Sequence, residues 1–231
     1  MYETLIAGLQ AMALAIPEEN CQKLCAFGQA VIEQNKVMNL TAITEPTAVA
    51  KLHLLDSVSI LKTADLAGKS LIDVGCGAGF PGVPLKIACP GIRLTLLDSL
   101  GKRMTWLREQ ALPTLGVEAE CITARAEEFA QLRREQYDFA TSRAVARLNI
   151  LLELTAPFVK VGGAVLAMKG SAAEEELQEA KNAIRQLGLK LEAVHKFPID
   201  GADHCVIVLR KVAPTPARFP RRYAKIKQMP L

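Results

Sequence analysis

Three glycines spaced two apart, Gly75, Gly77 and Gly79, follow directly on the apolar run Leu71-Ile-Asp-Val74. A short strand that opens into such a run turns sharply toward a helix. Each glycine can take a positive φ and lets a ligand approach backbone N–H groups with no Cβ in the way. A second run, Ile92-Arg-Leu-Thr-Leu-Leu97, reads as a buried strand and ends on Asp98. An acid there, roughly 20 residues beyond the glycines, is placed to bond the hydroxyls of a ribose. A glycine-rich turn alone is weak evidence, but an acid on each of two strand ends points to a nucleoside-binding α/β fold.

The spacing narrows the nucleoside. A dinucleotide fingerprint carries its third glycine where this chain has Phe80. Asp73 precedes the first glycine by two, giving D-x-G-x-G-x-G. Its carboxylate would repel a pyrophosphate and attract a cationic ligand's amino group, so S-adenosylmethionine fits better. Asp73, Gly75, Gly77, Gly79 and Asp98 are the candidate cofactor residues on this reading.

At 231 residues, half of them hydrophobic and 23% charged, the chain suits one globular α/β domain with an appendage. No apolar run approaches the roughly 20 residues of a bilayer span. The first ten residues carry an acid and no Lys or Arg, unlike a signal peptide, so a cytoplasmic protein without membrane association is expected. The sequon Asn39-Leu-Thr41 is then a chance match. The six cysteines form no C-x-x-C pair and make no zinc spacing with His53, His195 and His204, so small buried hydrophobes and no metal are expected. Seven of the 28 basic residues and no acid lie between Cys205 and Leu231, so the net charge of +4 belongs to the tail.

Helical periodicity covers 3–14, 18–36 and 46–63, and Gly8 and Gly28 are the only glycines before Gly68. Residues 1–66 therefore form an N-terminal helical segment. Strands are expected at 70–74, 92–97, 117–123, 137–142, 163–168, 190–197 and 204–210, with helices near 82–89, 101–115, 126–134, 147–160 and 172–187. No helix fits between the last two strands, where Pro198-Ile-Asp-Gly201 makes a turn, so a mostly parallel seven-stranded sheet should end in an antiparallel hairpin. The methyltransferase-type domain spans 67–212. Pro214-Thr-Pro216 separates it from a basic tail, 213–231, with little apolar pattern and partial disorder expected.

With these features in view the chain resembles class I S-adenosylmethionine-dependent methyltransferases, a Rossmann-like fold. More narrowly it resembles the bacterial RsmG family, also called glucose-inhibited division protein B. The resemblance runs through Met38-Asn-Leu-Thr-Ala-Ile43, His53-Leu-Leu-Asp-Ser57, Ile72 to Leu85, Leu96-Leu-Asp-Ser-Leu-Gly-Lys-Arg103, Ser142-Arg-Ala144 and Met168-Lys-Gly170, nearly the whole chain. It implies methylation of N7 of a guanosine in 16S ribosomal RNA. It also implies cofactor contacts at Gly75, Phe80, Asp98, Ser99, Leu100, Ala126, Glu127 and Arg143. Where similar tails carry Pro-Gly, this one has Tyr223 and Ala224.

Each residue also has a plain structural reading. Phe80 could cover the adenosyl group or cap the sheet edge. Glu127 could accept a bond from an adenine amine or serve as an acid in a helix's first turn. Arg143 sits just past a strand's carboxyl end, where ligands collect. Lys102 and Arg103 could face RNA phosphate or solvent. Asn39, His53 and Asp56 could cap helices or help shape the pocket.

Ser142-Arg-Ala-Val145 carries neither the Asn/Asp-Pro-Pro-aromatic of amine methylation nor a cysteine nucleophile. Guanine N7 suits that, since its lone pair is nucleophilic and carries no proton, so positioning suffices and no general base is assigned. Lys169, Arg218, Arg221, Arg222, Lys225 and Lys227 are the candidate RNA contacts, with Phe219 and Tyr223 between the tail cations able to stack a base. The expected partner is 16S ribosomal RNA or the small ribosomal subunit, and the expected state a monomer. The competing readings are a small-molecule methyltransferase, which would not need the acid-free tail, and a non-catalytic RNA-binding protein that senses the cofactor.

Overall fold

A computed structural model describes the backbone of residues 1–231 and the side chain of every residue but Ala202. The seven strands are β1 (Ser70–Val74), β2 (Arg93–Asp98), β3 (Glu120–Thr123), β4 (Tyr137–Arg143), β5 (Val159–Lys169), β6 (Leu189–Ile199) and β7 (Ala202–Lys211). They lie in the order β3-β2-β1-β4-β5-β7-β6. The first five are parallel, and β7 runs antiparallel between β5 and β6. This is the class I methyltransferase sheet.

Side-chain alternation along the strands fixes two apolar layers, as expected for a sheet buried on both faces. Leu71, Leu94, Leu96, Ala164, Leu166 and Val208 face one layer. Ile72, Leu97, Ala140, Val165, Ala167 and Ile207 face the other.

The N-terminal helices α1 (Tyr2–Ala11), α2 (Glu18–Met38) and α3 (46–62) supply the first layer together with α4 (Gly82–Ala88) and α5 (101–115). Leu5, Leu24, Phe27 and Leu54 share one core with Leu71 and Leu166, so residues 1–66 pack directly on the sheet. Helices α6 (Ala126–Leu132), α7 (Leu148–Thr155) and α8 (173–186) cover the opposite face. Gly8 lets α1 lie against α3, since a Cβ there would stand 2.1 Å from Leu55 Cδ1.

Several boundaries move. Strand β3 starts three residues later than the apolar pattern suggests, and β5 starts at Val159, four residues early, because Val159 pairs with Tyr137 before an irregularity in register. The helix expected at 172–187 breaks at Ala180.

The largest difference is the tail. It closes in a short helix, α9 (Tyr223–Gln228), with Ile226 fully buried and Phe219 nearly so. Two isolated apolar anchors do not make a periodic pattern, which is why the segment reads as unstructured in sequence. Arg134 holds the segment down by donating to the carbonyls of Thr215, Pro216 and Phe219. Among the described residues, no helix is long and apolar enough to cross a membrane and no group of three His, Cys, Asp or Glu could hold a metal ion.

Candidate active site

β2 and β3 lie on one side of β1, and β4 on the other, so a crevice opens at the carboxyl ends of β1 and β4. Open α/β sheets bind ligands at such a switch in strand order. The glycine turn forms its floor. Gly75 and Cys76 both donate their backbone N–H to the Leu97 carbonyl, at 2.7 and 3.1 Å. Gly75 has φ +72°, and a Cβ there would stand 2.5 Å from Val145 Cγ2. Gly77 has φ +56° with open space beside it, the nearest atom being Arg103 Nη1 at 3.8 Å. The first glycine is required by close approach and backbone shape, the second by shape alone.

Asp98 ties this turn to the next. Its Oδ2 accepts from the Gly77 N–H at 2.9 Å and its Oδ1 from the Leu100 N–H at 2.8 Å. A carboxylate has about four acceptor sites, so two remain for ligand hydroxyls. Across the cavity wall, Glu127 lies in the first turn of α6; its Oε1 accepts from Arg125 Nε at 3.3 Å, while Oε2 is buried without a partner. An orphaned carboxylate oxygen is costly in the free protein and favours a ligand that donates a hydroxyl or amine proton to it.

A charged cluster closes the other side. The Arg143 guanidinium lies 5.1 Å from the Phe80 ring centroid. It donates to the Leu52 carbonyl, to Asp56 Oδ2 at 3.1 Å and to His53 Nδ1 at 3.1 Å. The same Nδ1 lies 3.1 Å from the Leu52 carbonyl, and the ring's Nε2 lies 2.8 Å from Thr41 Oγ1. Burial, with the Arg143 charge adding to it, pushes the His53 pKa down to about 4. The Asp56 Oδ1 bonds His204 Nδ1 at 3.0 Å, which raises the His204 pKa. His53 also stacks on Phe80 at 4.7 Å between centroids.

The walls enclose about 980 Å³, within the range of small-molecule sites. Gly75, Gly77, Phe80, Asp98, Ser99, Ala126, Glu127 and Arg143 line this space, together with His53, Asp56, His204 and Tyr223. The residues fit S-adenosylmethionine. Backbone N–H groups without Cβ shielding, an acid with free acceptor sites and an unsatisfied buried carboxylate all answer to a ribosyl adenine.

Three expected cofactor contacts are not among the lining residues. Asp73 is fully buried under the turn, where its Oδ2 accepts from the Gly82 N–H at 2.8 Å and holds the start of α4. Its Oδ1 has no partner, and burial raises its pKa to about 7. Alternation along β1 turns the Asp73 side chain toward α4 rather than into the crevice. Gly79 serves packing, since a Cβ would meet Val83 Cγ2 at 2.8 Å and Leu107 Cδ2 at 3.0 Å. Leu100 points to solvent, and its backbone N–H is what matters.

The expected RNA contacts divide. Lys169 lines the cavity but is committed to Glu176 at 2.8 Å and to the Ala146 carbonyl at 2.5 Å, so it braces the loop after β4. Arg221 is spent on Glu153 Oε1 and Oε2. Arg218 bonds Gln186 Oε1 at 3.3 Å and remains exposed. Arg222, Lys225 and Lys227 are solvent-facing and make no ion pair among the described residues. Asn39 is the left-handed cap of α2, with its carbonyl accepting from Arg103, and so belongs to the structural reading. His204 and Tyr223, the latter expected only as an RNA-stacking residue, line the cavity as well, because both reach it through long-range packing.

A profile of the family described as rRNA small subunit methyltransferase G matches residues 20–204. The Ribosomal RNA small subunit methyltransferase G of Pelotomaculum thermopropionicum is 44% identical over 235 residues, covering 99% of this chain and 98% of that protein. Its counterpart in Alkaliphilus oremlandii is 42% identical over 234 residues, with 99% and 98% covered. Among solved structures, a SAM dependent methyltransferase from Aquifex aeolicus aligns with a TM-score of 0.55 at 18% identity, covering 78% of this chain and 97% of that one. That likeness shows a shared fold. The full-length identity and the matched profile together establish that the chain belongs to the rRNA small subunit methyltransferase G family.

Proposed function

We propose that this protein transfers the methyl group of S-adenosylmethionine to N7 of a guanosine in 16S ribosomal RNA. We place it in the cytoplasm as a monomer, acting on the RNA or on the small subunit. When bound, the cofactor supplies an electrophilic sulfonium methyl. The chain's own residues position and exclude water, and the cavity at the ends of β1 and β4 is what carries this reading.

The cavity's histidines and its cysteine offer no ready base, which favours an acceptor that needs no deprotonation. Burial, with the Arg143 charge adding to it, keeps His53 neutral, and its Nδ1 lies 3.1 Å from the Arg143 guanidinium. The Cys76 thiol is held well above its ordinary pKa by burial, with Asp73 and Asp98 adding to it. His204 faces Asp56. Guanine N7 brings its own lone pair. The modified purine gains a positive charge, and the Arg143 charge beside it is already balanced by Asp56 at 3.1 Å. Arg222, Lys225, Lys227 and Arg218 are the tail cations left to meet phosphate.

The test is transfer of a labelled methyl from S-adenosylmethionine to small ribosomal subunits and to naked 16S RNA. Borohydride and aniline treatment then cleaves at N7-methylguanosine. A single label-dependent cleavage supports the reading; label on small molecules alone would replace it with a small-molecule enzyme.

A further inference from the structure

Tyr223 is the one tail residue that reaches the cavity, and it does so at the Glu127 side rather than the Arg143 side. It is the first residue of α9 and lines the space with Ala124, Arg125, Ala126 and Glu127. The Arg125 guanidinium sits 4.5 Å from its ring centroid. The same Arg125 bonds Glu127, whose second carboxylate oxygen is buried and unpaired. The aromatic ring is therefore linked through Arg125 to the residue that carries the unpaired acceptor, and both line one cavity.

The ring is held from below. Glu153 on α7 is fully buried and accepts from the Arg221 backbone N–H and its Nε, both at 2.8 Å, and from its Nη2. Phe219 and Ile226, on either side of Tyr223 in sequence, are buried in the body. A tail fixed at three points around one aromatic side chain places that side chain rather than letting it sweep along RNA. The remaining tail cations face solvent, so anchoring and RNA contact fall to different residues of one segment.

From this geometry we infer that Tyr223 is a cofactor-positioning residue. Its ring forms the outer wall of the adenosyl site, packs against the nucleoside, and makes the tail part of the methyl donor's binding surface. This rests on the S-adenosylmethionine reading above. It assigns Tyr223 a role distinct from the RNA-stacking one that its place among cations suggests.

The experiment measures S-adenosylhomocysteine and adenosine affinity by calorimetry for the full chain and for Tyr223→Phe and Tyr223→Ala. Melting temperatures are recorded in parallel. Removing an aromatic wall from a nucleobase should weaken both ligands about tenfold in the alanine variant. The phenylalanine variant should stay within about twofold of the natural protein. KM for the cofactor should rise with kcat at saturation kept, and RNA affinity should not move. A second readout needs no variant: S-adenosylhomocysteine should slow tryptic cleavage at the solvent-facing Arg222, Lys225 and Lys227.

Unchanged S-adenosylhomocysteine affinity in a folded Tyr223→Ala protein overturns the inference, as does ligand-independent tryptic cleavage. Lost RNA affinity with cofactor affinity intact overturns it too and makes Tyr223 an RNA-stacking residue. Failure of the natural protein to bind S-adenosylhomocysteine at all is a different result, since it removes the cofactor reading itself.

Discussion

Arg221 reaches back across the molecule to Glu153, a carboxylate with 0% exposure, and satisfies both of its oxygens at the junction of tail and body. The pair explains why a segment rich in cations and poor in apolar residues is ordered. Losing one partner would strand a buried charge, which costs about 3 to 5 kcal/mol. Arg221→Ala should lower unfolding free energy by an amount of that order, measured by urea denaturation, whereas Arg222→Ala should change it by less than about 0.5 kcal/mol. Equal, small effects would show that the tail is not docked through this pair.

Asp98 has two tasks, and its removal should show both. Gly77 and Leu100 each lose the acceptor for a backbone N–H, at a cost of about 1 to 3 kcal/mol per stranded group that water does not reach. Asp98→Ala should therefore lower the melting temperature as well as abolish tight cofactor binding. Asp98→Asn keeps one carbonyl acceptor and should lose less of each. Full cofactor affinity in either folded variant would take Asp98 out of the site.

The glycine turn gives a graded test. Gly77→Ala meets no neighbour within 3.8 Å, so only its left-handed backbone penalises it, by about 1 to 2 kcal/mol. Gly75→Ala carries the same backbone penalty and also collides with Val145 at 2.5 Å. Thermal melts should rank Gly75→Ala below Gly77→Ala. The reverse order would contradict the described packing of the loop after β4.

Much of the fold is legible in the sequence, and the reasons for what is not are physical. Period-two and helical patterns mark elements whose faces are buried, so the strands, the terminal hairpin and the three N-terminal helices can be read directly. The D-x-G-x-G-x-G turn and Asp98 are local in sequence, and they place the crevice. Asp73 has neighbours that suggest a ligand while its side chain faces α4, a matter of which way one strand residue points. Tyr223, His204 and the Arg221–Glu153 pair depend on packing between segments far apart in the chain. One signal is available: Glu153 sits among Leu151, Leu152 and Leu154, and a carboxylate so placed requires a cationic partner from somewhere.

The His53 cluster predicts how stability follows pH. His53 titrates near its ordinary 6.5 when unfolded and near 4 when folded, so its contribution is fully present above 6.5. It is lost as pH falls toward 4, by on the order of 3 kcal/mol. His204 has the opposite sign: its raised pKa contributes stability that is fully present below 6.5 and lost as pH rises through its folded value. Below pH 6.5 the difference in unfolding free energy between the natural protein and His53→Gln should therefore shrink steadily. A constant difference between pH 7 and 4 would show that His53 is not held neutral by Arg143 and burial.

The solvent-facing cations of the anchored tail set how RNA binding should respond to salt. Substituting Arg222, Lys225 and Lys227 together by Ala should reduce the slope of log K against log salt by about 0.7 to 0.9 for each phosphate no longer neutralised. Cofactor affinity and stability should stay put, because these side chains face solvent. An unchanged slope would move RNA recognition to Arg218, Lys102 and Arg103 or to the N-terminal helices.

Methyl transfer in the cavity at the ends of β1 and β4 to a guanine nitrogen that needs no base should leave no trace of a protein base in the rate. The most direct measurement is the pH dependence of single-turnover methyl transfer from S-adenosylmethionine to 16S RNA, with the product located by borohydride and aniline cleavage. Cleavage is expected at one guanosine, with a rate that shows no dependence on deprotonating a group on the protein between pH 6 and 8. Methyl incorporation at a site resistant to that cleavage, or a rate that climbs tenfold per pH unit across this range, would contradict it.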